Sequence, residues 1–190
     1  MSDEALYVSG IALSQFVHGA RTLGLDSDGA LRRAGLQAEE HLRPNARIAE
    51  ALYERVVLEL ILAREDDSFG IDIGQQLMPP LYGVLMTLAF STPTLGAAMA
   101  ELSQHAALAS GNCGDFVYRD EGDKAYVDVV MTHQNPVVRR HIAECVVIQL
   151  CGLIRLISGR ANLAPEIVTL EHNAVSPRVK RRLENVVSCP

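Results

Sequence analysis

Six histidines and four cysteines are the side chains of this chain best suited to ligating a metal or attacking a substrate. Their spacing assembles neither kind of site. His18, His41, His105, His133, His141 and His172 include no pair at zinc-motif separation, no HExxH and no nearby cysteine pair. Cys113, Cys145, Cys151 and Cys189 form no CxxC, and two of them fall inside an apolar helical stretch, so they read as reduced thiols packed as small hydrophobes. Cys113 sits in a Gly-Asn-Cys-Gly turn without a local base. A GxSxG, a GxGxxG and a P-loop are all missing. We therefore assign no catalytic residue, no metal ligand and no cofactor.

Binding chemistry is better represented than catalysis. Tyr82, Met86 and Phe90 follow one another at i, i+4 and i+8, a stripe that suits a core or the wall of an apolar pocket. His105 stands at the edge of the apolar face of its helix. Gln149 lies beside an apolar stripe, where its amide needs a partner, supplied by a ligand or by a neighbouring backbone. Tyr82, Met86, His105 and Gln149 are the ligand-binding candidates. Arg140 and Glu144 have the i,i+4 spacing of a surface ion pair, and Arg178, Lys180, Arg181 and Arg182 read as a solvated helix face.

The elements that must position these residues follow from periodicity and punctuation. Helices are predicted over Ile11 to Leu23, Asp28 to Ala34 (stopped by Gly35), Ile48 to Leu62, Phe69 to Leu77 and Tyr82 to Phe90. Thr92 then reads as an N-cap with Pro93 in the first helical position, opening a helix from Thr94 to Ala109 that ends at Gly111-Asn112. Asp115 to Arg119 and Ala125 to Met131 are rich in branched and aromatic residues and flank Asp120-Glu-Gly-Asp123, which reads as a hairpin turn. A long helix is predicted from Pro136 to Ser158, with Val138, Ile142, Val146, Leu150, Leu153 and Ile157 inward and His141 and Glu144 among its polar positions. Pro165 to His172 reads as one more strand, and Pro177 to Asn185 as a basic amphipathic helix. The fold class is α+β: a helical amino-terminal half, then a small antiparallel sheet packed against a long buried helix, in a single domain over residues 1–190.

Composition bounds the function. Of 190 residues, 48% are hydrophobic and 21% charged, which fits one globular domain with a sizeable core. The net charge of −6 argues against whole-surface attraction to nucleic acid. The amino terminus lacks an apolar signal core. The greasiest segment, Cys145 to Ile157, is too short for a bilayer span and carries Gln149 and Arg155. No membrane partner is expected.

Several phrases in order resemble one known family. Gly24-Leu-Asp26, Leu31-Arg-Arg-Ala-Gly-Leu36, Ala46-Arg-Ile48 with Tyr53, and Asp67-Ser-Phe-Gly-Ile-Asp-Ile-Gly74 precede Ser91-Thr-Pro-Thr-Leu-Gly-Ala-Ala98. The hairpin, the long apolar helix and Pro165 to His172 then arrive in the same order. The chain resembles the amino-terminal, "arabinose-binding"-type effector domain of AraC-type transcription regulators. That resemblance implies a cytoplasmic bacterial regulator whose sensing domain binds a small effector and helps form homodimers, with promoter DNA read by a carboxy-terminal pair of helix-turn-helix motifs. The chain stops at Ser188-Cys-Pro190 without such motifs, so an excised sensor domain is expected. The sugar in the family's label is a poor guide to the effector: with no Trp and 5% aromatic residues, an apolar or amphipathic metabolite fits at least as well. The alternatives are a stand-alone dimerisation module without a ligand, and a thiol enzyme using Cys113 or Cys145, which would need a lowered thiol pKa.

Overall fold

Caps written into the sequence start the helices of the computed structural model, which describes residues 5–64, 67–76, 79–172 and 176–188. Strand β1 (Tyr7–Ser9) runs into α1 (Gly10–Thr22), where the Ser9 hydroxyl accepts from the Ala12 N–H. Asp26 caps α2 (Ser27–Arg33) in the same way, through the Gly29 N–H. After α3 (Ala38–His41), strand β2 (Arg47–Ala49) pairs antiparallel with β1, Val8 opposite Ile48, and leads into α4 (Glu50–Leu62). Helix α5 (Phe69–Gly74) follows, then a 3-10 turn at Pro79–Tyr82 and α6 (Val84–Phe90). Next come α7 (Leu95–Gln104) and α8 (Ala107–Ser110). The hairpin of β3 (Gly114–Asp120) and β4 (Ala125–Met131) sets Phe116 opposite Val129. Then α9 (Pro136–Ser158) crosses the molecule, opened by the Asn135 side chain and closed by Gly159 in the left-handed region. The last described element is α10 (Pro177–Ser188).

The architecture is α+β, with two small two-stranded antiparallel sheets among the helices. Helix α9 organises it. Its first turns bury Val138, Ile142 and Cys145 in a core with Leu13, Phe16 and Val17 of α1, Val56, Val57 and Leu60 of α4, and Phe69. Later turns bring Leu150, Leu153, Ile154 and Ile157 to a second cluster made by α6, α7 and the hairpin. A third face of α9 carries Ile148 and Cys151 against Val179 and Val187 of α10. Helix α5 lies very close to α9. A Cβ on Gly70 would stand 2.3 Å from the His141 carbonyl oxygen, so only glycine permits this approach. By length and hydropathy α9 is long and apolar enough to cross a membrane, yet much of it is enclosed and it buries both His141 and Glu144.

The structure departs from the expectations at several points. Pro165 to His172 forms no strand among the described residues and pairs with neither of the two sheets. Side chains tie it down instead: Glu166 to Lys124 at 3.6 Å, and His172 to Glu144 at 3.7 Å. The N-cap after α6 is Thr94, which accepts from the Ala97 N–H, while the Thr92 hydroxyl donates to the Ala89 carbonyl and Pro93 stays outside the helix. The helix expected from Thr94 to Ala109 breaks at His105. The chain turns there so that α8 can reach β1, where Asn112 accepts from the Tyr7 N–H at 2.6 Å. Gly111, with φ +73°, has the Tyr7 carbonyl 2.3 Å from where a Cβ would stand. Tyr82 belongs to the 3-10 turn rather than to α6. Arg140 and Glu144 do pair, at 3.6 Å, but Glu144 and His141 are fully buried rather than at the surface. Leu77 and Cys189 lie outside the described residues.

Candidate functional site

Between α1, α9, the β3–β4 hairpin and the segment from α6 to α8 lies a cavity of about 180 Å³. Its apolar wall includes Ile11 and Phe16 of α1, Leu102 of α7, Phe116 of β3, and Leu150 and Leu153 of α9. An engineered apolar cavity of about 150 Å³ takes up benzene, so this volume suits a ring-sized ligand. The alternation of the hairpin turns Phe116 inward while its neighbours Asp115 and Val117 face outward.

Three polar side chains meet in that wall. The Tyr82 hydroxyl stands 2.7 Å from Gln15 Oε1 and 3.0 Å from Gln149 Oε1. Gln15 is 5% exposed and Gln149 7%. Among the described residues, Gln15 Nε2 has no hydrogen-bond partner, and Gln149 Nε2 has only the neighbouring Cys145 sulfur to meet. Burial pushes the Tyr82 phenol well above its ordinary range, so it stays protonated. Ser110, also in the wall, is already committed: its hydroxyl faces the carbonyls of Ala106 and Gly114.

Of the four candidates from the sequence, the structure brings Tyr82 and Gln149 together in this wall. Met86 is buried in the second core cluster and is not among the lining residues. His105 is the C-cap of α7, its ring 3.7 Å from Glu101 and its side chain 38% exposed, also away from the lining. Within the chain, Gln149 Oε1 meets the Tyr82 hydroxyl rather than a neighbouring backbone group. Sequence reasoning missed Gln15. Its signal was present: it follows Ile11 by four residues on the face of α1 that also carries Ala12, and all three line the cavity.

Two other charged clusters border this region. Glu50, Glu54 and His133 present ligand atoms within 4.8 Å of one another, the one such group among the described residues that could hold a metal ion. His133 Nδ1 lies 3.1 Å from Glu50 and 3.8 Å from Glu54, and its ring stacks on Tyr53. Glu54 also accepts the Asn135 N–H, just ahead of α9. Burial lowers the His133 pKa and outweighs the upward pull of the two carboxylates. On the far side of α9, buried Asp72 pairs with Arg64 and with Arg182 of α10. Arg155 donates to the Leu163 carbonyl at 2.9 Å and the Val187 carbonyl at 2.7 Å. Arg182 is thus a docking contact rather than part of a freely solvated basic face.

Neither Cys113 nor Cys145 is an activated thiol. Burial pushes Cys113 up to about 11, with Glu50 adding to it, and raises Cys145 further. A thiolate is disfavoured at both at neutral pH.

The family model described as "Arabinose-binding domain of AraC transcription regulator, N-term" matches residues 24–190. No curated protein matches the sequence.

Proposed function

Because the chain belongs to the family of amino-terminal arabinose-binding domains of AraC transcription regulators, we propose that it is a sensing module whose effector occupies the cavity beside Gln15, Tyr82 and Gln149. The observation that carries this reading is the cavity itself: an apolar chamber with a few convergent polar groups is the usual form of a small-molecule site. An apolar or amphipathic effector suits that wall better than a sugar, whose hydroxyls would face mostly carbon. In the full regulator the module acts as a dimer in the cytoplasm, and its effector controls DNA binding by a helix-turn-helix region.

Helix α9 gives the signal a physical route. Gln149, Leu150 and Leu153 face the cavity, while Ile148, Cys151 and Arg155 of the same turns hold α10. A ligand shifts such a system only if it binds one arrangement of α9 and α10 better than the other.

Thermal unfolding with and without small ligands tests the proposal. Saturating an apolar site to 100 times its Kd adds about 2.7 kcal/mol, which raises the midpoint by roughly 5 °C or more in a domain of this size. Small apolar alcohols or amides produce the shift and arabinose does not. A shift with arabinose and none with any apolar compound would overturn the reading.

A further inference from the structure

We infer that the Gln15–Tyr82–Gln149 cluster selects a neutral effector whose head group both donates and accepts a hydrogen bond, a hydroxyl or an amide on a ring-sized apolar body. The inference rests on the cavity being the effector site.

Counting protons leads to it. The Tyr82 hydroxyl has one hydrogen and faces two carboxamide oxygens, at 2.7 and 3.0 Å. One hydrogen serves only one of them. The second contact becomes favourable when one carboxamide is rotated so that its nitrogen donates to the Tyr82 oxygen, which in turn donates to the other carboxamide's oxygen. Whichever glutamine rotates, the rotated carboxamide keeps a free carbonyl and one N–H, and the other keeps both N–H groups, so the cluster offers a spare acceptor and spare donors side by side. Both side chains are more than nine-tenths buried. Left unmet, each of these groups carries the cost of desolvation without a bond.

Each class of ligand meets this pair differently. A hydrocarbon satisfies neither group. An ionised carboxylate accepts from the N–H but sets its charge against a carbonyl; no Lys or Arg lines the cavity to balance it, Asp115 in the lining adds a like charge, and burial holds His133 toward its neutral form. An alcohol or an amide satisfies both. The cavity of about 180 Å³ limits the body to a ring or a short chain.

Four matched probes separate the possibilities: 2-phenylethanol, phenylacetamide, phenylacetate and ethylbenzene, titrated into the chain by NMR. The wild type is compared with a variant carrying both Gln15→Leu and Gln149→Leu. Measuring each ligand's loss on substitution cancels the different cost of taking each one out of water. The expected result is a loss of about tenfold or more for the alcohol and the amide, with ethylbenzene unchanged or tighter, and phenylacetate at least about tenfold weaker than phenylacetamide in the wild type. If the double variant does not fold, Tyr82→Phe, which breaks the relay, shows a several-fold loss for the alcohol and the amide and none for ethylbenzene. Equal changes for all four probes, or phenylacetate binding as tightly as the amide, would overturn the head-group inference while leaving the cavity as the site. Failure of all four to bind the wild type would overturn the cavity reading, and this inference with it.

Discussion

Two clusters share α9 and are packed in different ways. On the side of α1, α4 and α5, Leu13, Val17, Val56, Val57 and Phe69 are fully enclosed, and Phe16 meets Tyr53 edge-on and Phe69 at a tilt, with ring centroids about 6 Å apart. On the side of α6, α7 and the hairpin, a few buried residues such as Leu85 and Leu102 are surrounded by partly exposed Leu150, Ile154 and Ile157. The cavity opens where the two clusters meet. One helix thus carries a rigid scaffold on one side and a yielding wall on the other. Close packing makes the first resist any change of volume, while the second can reshape around a ligand.

The largest expected effect strikes the rigid side. Gly70→Val would drive a side chain into the His141 backbone at the closest point between α5 and α9, and costs about 3 kcal/mol or more, seen as a lower urea midpoint. A midpoint within error of wild type would show that the interface yields. A matched pair of truncations sharpens the contrast. Leu13→Ala, in the closed core, loses about 4–5 kcal/mol, whereas Leu102→Ala, beside an existing void, loses about 2–3 kcal/mol because it gives up fewer packing contacts. Equal losses would erase the distinction between scaffold and wall.

A third test uses pH. The folded state lowers the His133 pKa below its ordinary value of 6.5, as it does for His18 and His172. The unfolded chain therefore binds more protons as pH falls through 6.5, so stability declines below that value and levels off once the folded-state values are passed. Replacing His133 with Gln flattens this decline in thermal melts between pH 7 and 5. An unchanged slope would remove His133 from the account.

The smallest expected effect is on the polar cluster. Gln149→Leu removes a poorly satisfied buried Nε2 together with the oxygen that meets the Tyr82 hydroxyl, and that hydroxyl keeps its bond to Gln15, so the ligand-free midpoint stays within about 1 kcal/mol of wild type. A large loss would mean that the amide holds the fold rather than awaiting a ligand.

Much of the scaffold was legible in the sequence, since periodicity and capping act locally. Asn135 with Pro136 and the terminal Gly159 bracket α9 without reference to anything distant. Tyr7–Ser9 and Arg47–Ala49 were not legible, because three-residue strands carry no period of their own and exist only through pairing across the chain. His141 and Glu144 read as polar positions of a helix, and only the close approach of α5 through Gly70 and the ties from Asp67 and His172 show them to be enclosed. At the candidate site, Tyr82 and Gln149 were chosen for their chemistry and sequence spacing. Gln15 shares a legible helix face with Ile11, but only the fold shows that this face meets Tyr82. Met86 and His105 show the reverse: a helical stripe cannot tell a core from a pocket wall.

A crystal structure of the chain under xenon pressure decides whether the chamber exists. Xenon enters apolar cavities whatever their head-group preference. A xenon atom is expected among Phe16, Leu102, Leu150 and Leu153. A filled, collapsed interior at that position, with xenon bound elsewhere or not at all, would contradict it.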